Sequence, residues 1–312
     1  MAKHQPHLTS ALPQSDLSLP VAFILLLMGA SAMGISPVFV RLAEVGPFAS
    51  AFWRVFLALP ILFIWAYLET KKSGRTIRWK LDKPILLAGI FFSGDLIFWH
   101  LAIMKTTMAN ATLMATLAPV WVVLFSRAFI GEEVSKKTYF GLIFCLAGAT
   151  LLVGSSFRVA PERIAGDIFG FITSIFFGLY FLAIRVARRS RKGGEVTFLT
   201  TIITSLVLFI VAIAAADKMI PDTITGASSL AALGIVSHAG GQGLLAVALG
   251  SLSAAFSSLV IFVEAIVAAI FGWAVFQEKL GPLQLLGGSL ILFGVWYARP
   301  RSDKIADKTS KN

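Results

Sequence analysis

Seven side chains that could bind a solute or carry a proton lie inside apolar stretches of this 312-residue chain. If those stretches cross a membrane, a charged group at the bilayer centre costs roughly 2.5–3.5 kcal/mol on insertion scales, so it needs a compensating role. The seven are Arg54, Asp95, Trp99, His100, His238, Gln242 and Glu264. A guanidinium, two carboxyls, two imidazoles, an amide and an indole suit solute recognition and proton coupling.

Arg54 is predicted near the outer end of the second apolar stretch. One interpretation is structural: an anchor that snorkels to the headgroups, or a brace paired with Glu44. The other is functional, because the planar guanidinium fork matches the geometry of a carboxylate. Both interpretations remain open from the sequence.

Asp95 lies near the middle of the third apolar stretch, with no Lys or Arg within one turn. Its carboxyl group must be protonated, paired with a group on another helix, or placed in a cavity that contains water. Trp99 follows one turn later on the same face, whereas His100 points about 100° further round. The Trp–His pair could bind a planar or amine-bearing solute, or could pack helices together.

Two later stretches carry the remaining candidates. Glu264 is about half-way across its stretch, where it could be a proton site or a structural hydrogen-bond partner. His238 opens the sequence HAGGQG, residues 238–243, whose glycines favour either tight helix packing or an unwound segment. In the unwound case Gln242 would face the solute.

The composition indicates the elements that position these groups. Hydrophobic residues make up 57% of the chain, charged residues 14%, and mean hydropathy is +0.84. Soluble domains carry about 25% charged residues, so lipid is the expected solvent. Apolar runs long enough to span a bilayer predict ten transmembrane helices, at roughly 20–42, 47–68, 84–104, 109–130, 138–155, 165–187, 197–216, 229–250, 253–276 and 282–299.

The basic residues predict the orientation. With the N-terminus inside, 20 of the 27 Lys and Arg residues fall on the cytoplasmic side, six fall outside, and Arg54 stays within a helix. The positive-inside rule therefore predicts that both termini are cytoplasmic.

The two halves of the chain resemble each other. A shift of 144 places Gly34 to Arg41 on Gly178 to Arg185. A shift of 146 superposes the structural pairs Glu132 on Glu278, Gly141 on Gly287 and Gly148 on Gly294. Five helices per half is an odd number, so the second copy enters from the opposite side. The predicted fold is therefore an all-α integral membrane protein built from two inverted five-helix repeats.

Short motifs in both halves resemble the EamA-type domains of the drug/metabolite transporter superfamily. They are GPFASAFWR at 46–54, LAPV at 117–120 with GE at 131–132, VEAI at 263–266 with QE at 277–278, QLLG at 284–287 and FG at 293–294. The sequence departs from the family in having Ala265 where a Pro is usual. The resemblance implies a ten-helix bundle with a central cavity that moves amino acids or other metabolites, often outward.

We therefore predict a secondary transporter that exports a small organic metabolite, an amino acid or similar solute, across the bacterial inner membrane by alternating access around a midplane cavity. The predicted segments are 1–19 (cytoplasmic polar tail), 20–155 and 165–299 (the two repeats) and 300–312 (cytoplasmic basic tail). Its expected partners are a small-molecule solute, membrane lipid and, if transport is ion-coupled, protons, and it is expected to be a monomer or homodimer. Nucleic acid, metal and cofactor are not expected, and no nucleotide-binding loop is present. A membrane sensor and, less favoured, a membrane-embedded enzyme remain alternatives.

Overall fold

The computed structural model describes residues 17–106, 108–154, 161–277 and 281–300. This part of the chain is helical without a strand, and nine of its helices are long and apolar enough to cross a membrane. A tenth apolar helix has 17 residues. The helices are α1 (Leu19–Leu42), α2 (Pro47–Lys72), α3 (Lys83–Lys105), α4 (Asn110–Ile130), α5 (Lys136–Gly154), α6 (Pro161–Ala187), α7 (Gly193–Ala214), α8 (Ile224–Ala248), α9 (Ala254–Val275) and α10 (Pro282–Ala298). The predicted all-helical membrane fold is confirmed.

Proline interrupts three of these helices near their middles. In α1 the regular helix Leu19–Gly34 stops at Ile35, and Ser36–Leu42 has Pro37 as its second residue. The same pattern separates Pro47–Phe56 from Leu59–Lys72 in α2 and Met108–Ala115 from Ala118–Phe125 in α4. Proline removes a backbone donor and crowds the preceding turn, so each break falls just before one.

Two other helices are irregular without proline. Helix α9 divides into Ala254–Val260 and Val263–Phe276, although no proline lies at or near this break. Helix α8 is α-helical at Ile224–Ala232 and Gly243–Ala248, and it widens into a ten-residue π-helix at Leu233–Gln242. A Cβ on Gly241 would lie 2.4 Å from Met33 Cγ. The glycines of α8 therefore permit close packing on α1 within a helix that stays wound.

The helix contacts repeat about a two-fold relation. Helix α3 packs along α6 as α8 packs along α1, and α5 packs along α10. Where α5 and α10 cross, a Cβ on Gly141 would lie 2.8 Å from the Gly294 carbonyl, and one on Gly148 would lie 2.5 Å from the Gly287 carbonyl. The repeat exchanges these two contacts, because Gly141 corresponds to Gly287 and Gly148 to Gly294. The structure thus has the inverted-repeat arrangement.

The helix ends form two different surfaces. At one end, here called the basic end, α2 and α6 finish and α3 and α7 begin. Cationic side chains surround a depression of about 660 Å³ there, including Lys72, Arg75, Arg188, Arg191 and Lys192. At the opposite end Glu44 binds Thr223, and Asp217 accepts a hydrogen bond from the Ala49 amide. The predicted tails lie almost entirely outside the described residues, as does Glu278.

Candidate functional site

A cavity of about 140 Å³, mostly apolar but lined by several charged and polar side chains, lies between the two repeats. This is several times the roughly 30 Å³ that a water molecule occupies in the liquid. Helices α1, α2, α3 and α4 of the first repeat and α6, α8 and α9 of the second contribute to its wall. Five of the seven predicted residues line it: Arg54, Asp95, Trp99, Gln242 and Glu264.

The only guanidinium in the cavity wall belongs to Arg54, which is 7% exposed. Its buried Nε has no hydrogen-bond acceptor among the described residues. Glu44, proposed above as a structural partner, instead binds the amide and hydroxyl of Thr223 at 3.0 and 2.9 Å. Arg54 therefore presents hydrogen-bond donors to the cavity and is not braced by Glu44.

The carboxyl groups of Asp95, which is buried, and Glu264, which is half-buried, share the cavity with Arg54. Asp95 and Glu264 both lie within electrostatic range of the guanidinium, although no ion pair within 4 Å joins either to Arg54 among the residues that the structure describes. Glu264 Oε1 is buried and has no hydrogen-bond partner there. The cavity thus holds one cationic and two acidic side chains, which remain available to a polar ligand.

Helix breaks place backbone irregularity at the same depth. Thr116, at the break in α4, and Ile261, at the break in α9, both line the cavity. Glu264 lies in the first turn of the second α9 segment. The N-terminus of a helix segment carries a partial positive charge that stabilises nearby anions. Broken helices that meet at a midplane site are the construction used by secondary transporters.

Aromatic and amide groups close the cavity toward the basic end. Phe92 stacks on Tyr180 with ring centroids 4.6 Å apart, and the Tyr180 hydroxyl donates to Gln242 Oε1 at 3.0 Å. Gln242 Nε2 in turn lies 3.0 Å from the sulfur of Met33. These four side chains form the cavity floor.

The two histidines lie outside the cavity wall. His100 Nδ1 is 2.6 Å from the carbonyl of Leu96, and its ring lies beside Phe48 and Trp99. His238 Nε2 is 2.9 Å from the Thr201 hydroxyl, and its ring lies beside Phe92. One ring nitrogen of each histidine is buried without a partner among the described residues. Both rings therefore pack behind the residues that contact the cavity.

Several lining residues carried no signal in the sequence analysis. They include Ser36 and Pro37 of α1, Thr112 and Thr116 of α4, and Thr173 and Phe177 of α6. Small hydroxyl side chains satisfy themselves locally in helices, as Thr116 does by donating to the Leu113 carbonyl at 2.7 Å. The repeat offered one usable signal, because a shift of 146 residues places Thr116, at the break in α4, on Phe262, which is next to the cavity residue Ile261 at the break in α9.

The remaining predicted residue, Glu132, lies at the basic end of α4. Its match to Glu278 in the repeat predicted a structural role, and its carboxylate pairs with Arg185 and accepts a hydrogen bond from the Ala254 N–H at 2.9 Å. No cluster of three or more His, Cys, Asp or Glu side chains suited to a metal is found in the part of the chain that the structure describes. The single cysteine, Cys145, is buried between α5 and α10.

The comparisons with known proteins agree with this architecture. The EamA-like transporter family matches the chain twice, at residues 20–154 and 164–299. The chain is 25% identical to the pseudopaline exporter CntI of Pseudomonas aeruginosa over 238 residues, which are 76% of this chain and 82% of that protein. It is also 25% identical to an uncharacterized transporter of Archaeoglobus fulgidus over 274 residues, covering 88% of this chain and 94% of that one.

A crystal structure of a protein with 19% sequence identity shares the fold. It aligns with a TM-score of 0.78 over 90% of this chain and 98% of its own. Because the family matches each half of the chain in turn, the protein belongs to the EamA-like transporter family.

Proposed function

We propose that this transporter exports a small amphoteric metabolite, of the amino-acid class, across the bacterial inner membrane by alternating access around the cavity. The observation that carries the proposal is the unpaired Arg54 guanidinium, which shares one cavity with the carboxyl groups of Asp95 and Glu264. A solute carboxylate would bind Arg54 through a charge-assisted hydrogen bond. A solute ammonium would bind an acidic side chain, and Trp99 would cover an apolar portion.

Direction and orientation are supported by separate observations. The Pseudomonas aeruginosa relative is named as an exporter, and the excess of Lys and Arg at the basic end favours placing that end in the cytoplasm. Most lining residues of α1, α2, α3 and α4 come from the halves of those helices nearer the opposite end. In this conformation the cavity is therefore assigned to the external side of the transport cycle.

Proton coupling is the proposed source of drive. Two acidic side chains face a single guanidinium in the cavity, so binding one proton would balance the charge of an empty site. Asp95 and Glu264 are the candidate proton carriers, and Arg54, Tyr180, His100 and His238 are the other titratable groups around them. The solute and the proton would then compete for the same carboxylates, which is a simple basis for exchange.

The test is transport by purified protein in liposomes loaded with an amino-acid and metabolite mixture. Solute loss is followed by mass spectrometry with and without an imposed pH gradient, and protein-free liposomes and Arg54→Gln serve as controls. Selective, gradient-dependent loss of amphoteric solutes is the expected result. If the liposomes lose only neutral or purely anionic solutes, the proposed amphoteric substrate class is wrong. If transport by both Asp95→Ala and Glu264→Ala depends on the pH gradient as it does in the parent protein, neither residue carries the proton.

A further inference from the structure

One side chain connects the two repeats at the basic end of the bundle. Glu132 follows α4 of the first repeat, directly after Gly131, whose backbone is left-handed with φ of 69°. One carboxylate oxygen of Glu132 pairs with Arg185 Nε at the end of α6. The other accepts the backbone N–H of Ala254 at 2.9 Å, at the start of α9. Glu132 therefore joins one helix of the first repeat to two helices of the second.

The arginine in this pair extends the connection to a fourth helix. Arg185 Nη1 donates to the carbonyl of Leu249 at 2.6 Å, just after α8 ends. Arg189, one turn further along, donates to the carbonyl of Ile130 in α4. The ends of α4, α6, α8 and α9 are thereby held together through hydrogen bonds to arginine and to Glu132.

These contacts lie on the direct line from the cavity to the basic end. Along α6, Phe177 lines the cavity, Tyr180 forms its floor and Arg185 follows about 7.5 Å beyond Tyr180, at 1.5 Å per residue. Along α9, Ala254 comes first, buried Ser257 follows, and Ile261 reaches the cavity. The Glu132 contacts therefore lie between the depth of the cavity and the basic end on both α6 and α9.

The local environment favours a strong interaction that can still be broken. The side chains of Glu132 and Arg185 are 15% and 18% exposed, so water weakens their attraction less than at an open surface. The carboxylate also faces the N-terminus of a helix, where negative charge is favoured. Neither group is fully buried, so each can be rehydrated when the helices separate.

We infer that Glu132 and Arg185 hold the basic end of the solute path closed, and that this ion pair must open once in each transport cycle. The two residues are positioning residues, because they contact other helices and not the cavity. The inference rests on the proposed alternating access. It concerns the opening of the basic end to water, which can be measured without a substrate. Losing the pair should shift the protein toward a conformation open at the basic end.

The experiment measures the reactivity of two reporter cysteines with a polar maleimide in purified protein. Cys145→Ala removes the natural thiol. Ser257→Cys then reports on the closed segment between Ala254 and the cavity, since Ser257 is 0% exposed and its hydroxyl has no partner among the described residues. Thr116→Cys, in a separate protein, reports on the cavity itself.

We expect Glu132→Gln to raise the labelling rate of the Ser257→Cys reporter at least tenfold and to lower that of the Thr116→Cys reporter. The matched control is Glu133→Gln, which changes the exposed neighbouring glutamate and should leave both rates within about twofold. Arg185→Gln removes the same ion pair while Glu132 can still accept the Ala254 amide, so it provides a second test if the first variant does not fold.

Unchanged labelling of both reporters in folded Glu132→Gln and Arg185→Gln proteins would overturn the inference. An equal rise in Glu133→Gln would also overturn it, because the effect would then be a general loss of negative charge. If the labelling rates change as expected but the protein transports no amphoteric solute, the role of Glu132 and Arg185 in closing the basic end is supported and the proposed function is overturned. The labelling rate of the Ser257→Cys reporter in the Glu132→Gln/Arg185→Gln double variant should exceed that in either single variant by less than twofold, because both substitutions remove the same interaction.

Discussion

Two buried arginines in this protein have opposite surroundings. Arg191, at the basic end, has a side chain that is 0% exposed and uses all five N–H donors. It donates to Asp82, to Glu195 at 2.7 Å, and to the carbonyls of Arg78 and Lys80, each at 2.6 Å. The Arg54 guanidinium, in the cavity, makes no hydrogen bond to any residue that the structure describes, and its carboxyl neighbours lie beyond 4 Å.

The difference separates a structural charge from one available for binding. Burying a charge is costly unless its partners replace the lost water. For Arg191 the folded chain supplies every partner, so the guanidinium fixes the 78–82 loop against the start of α7. For Arg54 the chain supplies only distant opposite charges, so water or a solute must complete the shell. Of these two buried arginines, the one whose donors the described chain leaves unsatisfied is the one that lines the cavity.

Replacing Arg191, whose donors are all used, should have the largest effect of the substitutions proposed, and that effect should be on stability. Arg191→Gln leaves Asp82, Glu195 and two carbonyls without their donor, and removing one partner of a buried ion pair costs about 3–5 kcal/mol. We expect a large loss of folded protein and a lower melting temperature in detergent, with normal transport per folded molecule. A melting temperature unchanged from the parent would contradict the assignment of Arg191 to stability.

Changing the unsatisfied arginine should affect transport and spare the fold. Arg54→Gln removes a charge-assisted hydrogen bond to the solute, worth about 1.5–3 kcal/mol. Initial transport rates at low solute concentration should fall about 10- to 150-fold, since 1.4 kcal/mol corresponds to a factor of ten. The melting temperature should stay equal or rise, because an unpaired buried charge is removed. A lower melting temperature together with normal transport would reverse the comparison.

The fold could be predicted from the sequence because its signals are local. Each transmembrane run is hydrophobic over its whole length, and the cationic residues cluster between runs. The odd number of helices per repeat then implied the inverted arrangement. The break in α9 at Ile261–Phe262 was not predictable from its own residues, because no proline lies there. Its equivalent in α4 was marked by Pro119.

The site was only partly predictable because helix sequence gives the angular position of a side chain but not which neighbour it meets. Asp95 and Trp99 share one face of α3, and both line the cavity, whereas His100 packs toward Phe48. The position of a residue along its helix therefore did not distinguish residues that line the cavity from residues that pack between helices. The Glu132–Arg185 pair was not predicted, because it joins residues 53 positions apart in different repeats.

Equivalent changes to a carboxylate at each site sharpen the comparison. Asp82→Asn keeps the shape of the side chain but turns the hydrogen bonds from Arg191, at 2.9 and 3.2 Å, into bonds with a neutral acceptor. The difference between charged and neutral hydrogen bonds predicts a loss of about 1–1.5 kcal/mol in stability. Asp95→Asn should cost no stability and, combined with Glu264→Gln, should abolish the dependence of transport on the pH gradient. Thermal melting and liposome transport on both variants would test this, and equal destabilisation by the two changes would contradict it.

The smallest expected effect concerns Gln242, a cavity group whose hydrogen bonds are already made within the protein. Gln242 lines the cavity with its amide oxygen bound by the Tyr180 hydroxyl at 3.0 Å. Tyr180→Phe removes a neutral hydrogen bond, worth about 0.5–1.5 kcal/mol, and frees that oxygen to turn toward the solute. The solute concentration for half-maximal transport should change by about two- to tenfold, while Tyr297→Phe, at the far end of α10, should have no effect. If Tyr180→Phe were to abolish transport, the cavity floor would take part in solute binding. Unsatisfied hydrogen-bonding groups such as Arg54 would then not differ in function from satisfied groups such as Gln242.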